Sequence, residues 1–290
     1  MKKLKAFFVF LLSLFMVLDI FALQISIFSH NKLLNENYYT ARFSTLGLYS
    51  FINQSISSDL GNIQRECNLP QSIFDGIYNK TSIENKVNQY TVSILDYMKY
   101  KTHKFPLSDI NDYSSAFNKN IDTFLATANV ALDDSSKAEI NNIKSQTANV
   151  MKNEVYLVNL NSFAGSQSFE KARSYAYKVY SAEGPLTGIL VALIIVLLIL
   201  ERKDILSFFR WFSASLIAGG LMILIPCALL IHSGFMNNLA LSAPKLQLIV
   251  GTIIRDFLQS MLTPSIYISI IGLVIFIAGM LLSNKKEIRA

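Results

Sequence analysis

One ionisable residue, Asp19, lies within a long apolar stretch, which makes it the first candidate for chemistry. The stretch Ala6–Phe28 is long enough to cross the hydrocarbon core of a bilayer as a helix, and Asp19 lies about 20 Å of helix rise from its start. A carboxyl group at such depth usually faces the interior of a helix bundle and is a functional candidate. The alternative is a structural carboxyl that is protonated or reaches the headgroups. His232, near the end of another apolar stretch, is the nearest ionisable partner by depth.

The remaining reactive side chains form no recognisable site. His30, His103 and His232 are far apart in the sequence, which has no His-x-x-x-His, Cys-x-x-Cys, phosphate-loop or nucleophile-elbow pattern. Cys67 and Cys227 fall in segments that we assign to different compartments, so no disulfide is expected between them. We therefore predict no catalytic, cofactor or metal site, and a protein that is not an enzyme.

Apolar stretches of membrane-spanning length divide the chain. They lie near residues 6–28, 186–200, 212–231 and 265–282. The first is longer than the apolar core of a cleaved signal peptide, and no Ala-x-Ala site follows it. We predict an uncleaved anchor over residues 1–29 and a three-span membrane domain over residues 185–290.

The charges follow this division of the chain. Residues 2–5 carry +3, residues 201–210 carry +1 and residues 285–289 carry +2, which together equal the net charge of +6. Residues 29–185 contain 15 basic and 15 acidic residues. Because cytoplasmic loops of membrane proteins are enriched in Lys and Arg, both termini are predicted to be cytoplasmic and residues 30–184 extracytoplasmic. The basic pI is therefore a topology signal and does not indicate nucleic-acid binding.

The region 30–184 is predicted to be a helical bundle, which makes the whole chain all-α with four transmembrane helices. Apolar residues recur at helical spacing along Asn37–Leu60, Thr81–Tyr100 and Lys137–Leu160. Thr81 and Glu84 have the spacing of a capping box, and Asp133 begins a turn that favours a helix N-cap.

A further segment near 244–262 is apolar on one face only. It contains Lys245, Arg255 and Asp256, and charges at the centre of a bilayer are costly. We predict an amphipathic helix that lies outside the membrane, separate from the fourth span.

Small residues lie on helical faces of the third and fourth spans, where they allow membrane helices to approach closely. We expect them to pack helices within the chain, with packing against a partner subunit as the alternative. The residues are Ser215, Gly219, Ser265, Ser269, Gly272 and Gly279.

Two resemblances follow from these features. The segment Ile83–Tyr113, with Val87, Ile94, Tyr97 and Pro106-Leu107-Ser108, is similar to a loose group of uncharacterised bacterial four-span proteins with a helical outside domain. This resemblance implies the architecture and no activity. The turn Glu201–Leu206 resembles the charged segment after the second span in permease subunits of cell-division and lipoprotein-export ABC systems. That resemblance implies an ATPase partner, for which the inside turn is very short.

We therefore expect a non-enzymatic bacterial envelope protein whose outside domain binds or senses a surface ligand or a protein partner. Its spans contact the lipid bilayer, and neither a cofactor nor a nucleic-acid partner is expected. A permease-like subunit is the alternative function. An intramembrane enzyme that uses Asp19 comes third.

Overall fold

A computed structural model of the chain describes residues 2–101, 104–106, 109–128, 133–156, 166–234 and 244–287. All regular elements in these ranges are helices, as predicted. They are α1 (Lys2–Phe28), a π-helical turn (Ser29–Leu33), α2 (Glu36–Thr45), α3 (Leu48–Glu66), a 3-10 turn (Gln71–Ile73), α4 (Lys80–Lys99), α5 (Asn111–Ala128), α6 (Asp134–Val155), α7 (Gln167–Ser181), α8 (Glu183–Leu200), α9 (Ile205–His232) and α10 (Pro244–Glu287).

The chain forms two compact units. One, which we call the apolar unit, comprises Met1–Asn35 and Ser174–Ala290, and the other, the polar unit, comprises Glu36–Arg173. The sequence places the corresponding boundaries at residues 30 and 184. The difference arises because the π-helical turn and the last part of α7 pack with the apolar unit.

The surfaces of the two units differ in how many large apolar side chains they expose. Of the exposed large hydrophobic side chains in the described part of the chain, all except Tyr100 belong to the apolar unit. This unit contains four helices that are long and apolar enough to cross a membrane, within Lys3–Leu33, Glu183–Leu200, Ile205–His232 and Gln247–Leu282. The polar unit buries its apolar side chains and presents a surface suited to water.

Helix α10 joins two segments that the sequence analysis separates. The predicted amphipathic helix near 244–262 and the fourth span form one helix of 44 residues, which passes through Pro264. Its length is about 66 Å, more than twice the hydrocarbon thickness of about 30 Å. The Thr263 hydroxyl donates to the Gln259 carbonyl at 3.0 Å, and Ser265 Oγ lies 2.8 Å from the Met261 carbonyl oxygen. These contacts flank the position where proline lacks an N–H, so the helix continues without a break.

The first helical stretch of the polar unit is divided, whereas the sequence predicts one helix over 37–60. The break lies at Gly47, whose φ of 69° is a left-handed conformation that glycine adopts without steric cost. Helix α4 starts earlier than predicted. Its cap is Asn79, whose side chain accepts from the Ser82 backbone N–H, rather than the predicted Thr81. The Asp133 cap on α6 is confirmed by the bond that its carboxylate accepts from Ser136 N–H.

The core of the polar unit lies between α3, α4, α5 and α6. The side chains that fill it come from one face of each helix, as the apolar periodicity predicts. The least exposed apolar side chains that the structure describes in this unit, with Ile73 from the 3-10 turn, are Leu48, Ile52, Ile56, Ile73, Ile83, Phe117, Ile121, Met151 and Val155. The predicted end of α6 at Leu160 falls outside the described residues, as do His103, Leu107 and Ser108.

Candidate functional site: the polar contacts of helix α1

Helix α1 packs directly against α8 and α9 through apolar side chains of its N-terminal half. Val9 and Met16 are almost fully buried in a cluster with Leu197 of α8 and Phe208 of α9. Leu12, Leu193, Ile194, Trp211 and Phe212 surround this cluster. The N-terminal helix is therefore part of the core of the apolar unit.

An ion pair fixes the start of α1. Lys5 Nζ lies 2.9 Å from Glu201 Oε2, in the turn between α8 and α9. Only 6% of the Glu201 side chain is exposed, compared with 43% of Lys5. A buried carboxylate without a cation is strongly destabilising, so Lys5 is the residue that permits Glu201 to be buried.

Two serines join α1 to α9 deeper in the unit. The Oγ atoms of Ser13 and Ser215 are 2.7 Å apart, and either can donate. Ser215 Oγ is also 2.9 Å from the Trp211 carbonyl of its own helix. Both serines are buried, and Ser215 has no exposed surface. Hydrogen bonds between membrane helices are each worth about 0.6 kcal/mol on average.

Gln24 connects three helices. Its Nε2 donates to the carbonyls of Ile20 in α1 and Gly219 in α9, each at 3.2 Å. Its Oε1 accepts from the Ser265 hydroxyl of α10 at 2.8 Å. Both amide hydrogens and the carbonyl oxygen of Gln24 are thus used, and one side chain holds α1, α9 and α10 together.

Close approach of these helices depends on particular glycines. A Cβ at Gly219 would lie 2.7 Å from Ile20 Cγ2, and one at Gly272 would lie 2.9 Å from Ile217 Cγ1. A Cβ at Gly220 would lie 2.8 Å from the Ser265 carbonyl oxygen. The small-residue pattern singles out Gly219, Ser265 and Gly272 but misses Gly220. Gly279 differs, because a Cβ there would make an ordinary contact of 3.7 Å with Phe209.

Asp19 is buried but has no partner for one of its oxygens. The residue is 6% exposed, and Oδ2 has no hydrogen bond among the described residues. It lies seven residues after Leu12 and three after Met16, on the face of α1 that carries these two residues of the apolar cluster. The Ser269 hydroxyl, beside Gly220, is likewise buried without a partner in the described part.

The structure does not bring His232 to Asp19. Gly219 lies at the level of Ile20, adjacent to Asp19 in the chain, and His232 lies 13 residues further along α9. That separation corresponds to about 20 Å of helix, and His232 is exposed. The pairing suggested by depth in the sequence is not formed.

The C-terminal end of α1 makes a further set of polar contacts. The Ser26 hydroxyl donates to the Val179 carbonyl at 2.6 Å. The His30 ring stacks on Tyr180 with centroids 4.8 Å apart, and its Nδ1 lies 3.7 Å from Glu183 Oε2. The π-helical turn at Ser29–Leu33 places these groups next to the start of α8.

In the polar unit, the C-terminal end of α4 binds both the first and the last residue of the unit, Glu36 and Arg173. Lys99 of α4, 7% exposed, forms ion pairs with Asp96 at 2.8 Å and with Glu36 at 3.1 Å. Burial opposes the charged form of Lys99, but the hydrogen bonds that its ammonium donates to Asp96 and Glu36 outweigh this effect and raise the pKa of the amine. The first residue of this unit is thereby tied to the last turn of α4.

Arg173, the last residue of the polar unit, binds the same end of α4. Its guanidinium donates to the carbonyls of Tyr97, Tyr100 and Lys101, at 2.9–3.0 Å. The group also lies 3.7 Å from the centre of the Tyr97 ring. Orphan carbonyls at a helix C-terminus are favourable partners for a cation.

Within the described residues, no group of three or more His, Cys, Asp or Glu side chains could hold a metal ion. The polar contacts of α1 described above are hydrogen bonds and an ion pair that join it to other helices. No protein-family model, curated protein or solved structure matches this chain.

Proposed function

We propose that this chain is a non-enzymatic, multi-pass protein of the bacterial cell membrane whose polar unit lies outside the bilayer and binds or senses a surface ligand or partner protein. The observation that carries the proposal is the segregation of exposed apolar side chains. Only Tyr100 of the exposed large hydrophobics in the described residues belongs to Glu36–Arg173. One unit is therefore suited to lipid and the other to water.

The charge distribution supports the orientation. The polar-unit region is electrically balanced, whereas residues 2–5, 201–210 and 285–289 carry the whole net charge of +6. The described parts of these segments lie near one another, since Lys5 pairs with Glu201 and a Cβ added at Gly279, in the last turns of α10, would lie 3.7 Å from Phe209. The positive-inside bias favours the cytoplasm for this end.

The contacts of α1 support its retention in the mature protein. Four polar side chains of α1 form hydrogen bonds with residues in the range 179–265. They are Lys5, Ser13, Gln24 and Ser26. Removal of a leader at this position would leave Glu201 buried without its cation and Ser265 without the Gln24 oxygen. A helix with these roles is expected to act as a permanent anchor.

Site-specific photocrosslinking tests the proposed function. A photoreactive residue at exposed Glu139 of the polar unit is expected to capture a surface component, whereas one at Val274, exposed on α10, captures lipid. A photoreactive residue at Lys203 reports on the inner turn. If an ATPase is captured there and nothing is captured from Glu139, the permease-like alternative replaces the proposal.

A further inference from the structure

The inner end of the apolar unit gathers basic residues from three separate segments. The Lys5–Glu201 pair, at 2.9 Å, joins the start of α1 to the turn between α8 and α9. A Cβ at Gly279 would lie 3.7 Å from Phe209, so the last turns of α10 run beside the start of α9. We call this end the inner basic rim. Among the residues whose side chains the structure describes, its basic members are Lys3, Lys5, Arg202, Lys203 and Arg210.

The acidic groups of the α8–α9 turn are engaged within the protein. Glu201 is 5% exposed and paired with Lys5. Asp204 Oδ1 accepts from the Ser207 backbone N–H at 3.3 Å and caps α9. Arg202 and Lys203, which lie between them, are exposed. The turn therefore buries Glu201, uses the exposed Asp204 as the cap of α9, and presents Arg202 and Lys203 outward.

The rim lies at the depth of lipid headgroups, since exposed apolar side chains flank its charges in each segment. Leu4 is 62% exposed between Lys3 and Lys5. Ile199 and Ile205, 57% and 45% exposed, lie on either side of the cationic turn. Long basic side chains beside lipid-facing residues extend their charge to the headgroups.

From this arrangement we propose that the inner basic rim is a binding surface for anionic phospholipid headgroups, with Arg202 and Lys203 as its main phosphate contacts. Arginine presents a fork of donors that matches phosphate oxygens, and lysine supplies a compact charge. Clustered basic residues next to a membrane span attract anionic lipids. The turn of only four residues between Leu200 and Ile205 suits a headgroup better than a protein domain. The proposal does not depend on what the polar unit binds.

The only tryptophan of the chain is a natural reporter for this surface. Trp211 follows Arg210 on the first turns of α9 and packs edge-on against Phe10 of α1, with centroids 6.4 Å apart. The full chain would be reconstituted into bilayers that mix phosphatidylcholine with phosphatidylglycerol, with one of the two brominated. Quenching of Trp211 fluorescence then gives the relative binding constant of the two lipids at the rim, whichever way the protein inserts.

The double variant R202Q/K203Q removes two rim charges, and K119Q/K171Q removes two exposed charges from the polar unit as the matched control. Wild type and control are expected to prefer phosphatidylglycerol. The preference should fall by about fivefold for each charge removed from the rim, and it should weaken in 0.5 M salt because added ions screen exposed charges.

Two results would overturn the proposal. One is a relative binding constant near one for phosphatidylglycerol over phosphatidylcholine, measured with the wild-type protein at low salt. This result would overturn the proposal without any variant. The other is an unchanged preference in R202Q/K203Q when its helical circular dichroism equals that of the wild type. Neither result bears on the proposed function of the polar unit, which is tested separately by crosslinking from Glu139.

Discussion

Ser13 and Ser215 lie 2.7 Å apart, oxygen to oxygen, although 202 positions separate them in the chain. This contact joins the first span to the third in the interior of the apolar unit, where both residues are buried. It shows that the N-terminal helix is a core element of a four-helix assembly. The same helix also contacts the turn between α8 and α9 through Lys5, and α10 through Gln24.

Loss of Lys5 is expected to destabilise the apolar unit more than loss of the whole ion pair. K5M leaves Glu201 buried and uncompensated, whereas K5M/E201M replaces both groups by apolar ones. The single variant should lose less than the roughly 3–5 kcal/mol typical of a fully buried pair, because Lys5 is 43% exposed. Thermal unfolding in mild detergent measures both variants. A double variant less stable than K5M would contradict this account.

Glycines at helix contacts should tolerate alanine far less than a glycine in open space. At Gly219 an added Cβ meets Ile20 at 2.7 Å, whereas at Gly251 nothing lies within 4 Å. G219A is expected to cost about 1–3 kcal/mol through overpacking. G251A should be neutral or stabilising by up to about 1 kcal/mol, because alanine favours a helix. Equal unfolding temperatures for the two variants would argue against the α1–α9 contact.

The substitution D19L distinguishes a structural role of Asp19 from a functional one. Since Oδ2 has no hydrogen-bond partner in the described structure, D19L should leave the unfolding temperature in detergent unchanged or higher. D19N retains the polarity and serves as the control. A phenotype in cells for D19L, with the protein present at its normal level, would identify Asp19 as functional. A large fall in stability would instead reveal a structural partner.

The pH dependence of Cys67 alkylation tests the surroundings of this thiol in the polar unit. Burial, with Glu139 and Glu66 nearby, raises the pKa of this thiol above its usual value of 9.0. Because the thiolate is the nucleophile, alkylation should be slow at pH 7.5 and should still be rising at pH 9. E139Q should lower the pKa and accelerate alkylation at pH 8, whereas D134N should have no effect. A rate profile centred at or below the ordinary thiol pKa would contradict this environment. C227S removes the other cysteine from the measurement.

Structural features that depend only on residues close together in the chain could be predicted from the sequence. The four apolar stretches, the helical class and the Asp133 cap depend on neighbouring residues and recur in the structure. The break at Gly47 was missed because the apolar spacing continues across it, and only its positive φ shows the turn. The continuity of α10 was missed because charges near 255 indicate an end to a span, whereas a helix can extend beyond the bilayer.

Contacts between distant segments could not be predicted. Gln24 and Ser265, 241 positions apart, have no sequence feature that pairs them. The sequence suggests His232 as the partner of Asp19 from the position of each residue along its span. That position fixes neither the register between the two helices nor the face of the helix on which each side chain lies. The Lys5–Glu201 pair was missed for the same reason, although both residues lie at the ends of predicted spans.

Labelling with a membrane-impermeant maleimide tests the proposed topology most directly. In a C67S/C227S background, S135C places a thiol in the exposed first turn of α6, and K203C places one in the exposed turn between α8 and α9. In intact spheroplasts, S135C should be labelled and K203C protected until the cells are lysed. Labelling of K203C with protection of S135C would contradict the account, since it would place the polar unit in the cytoplasm.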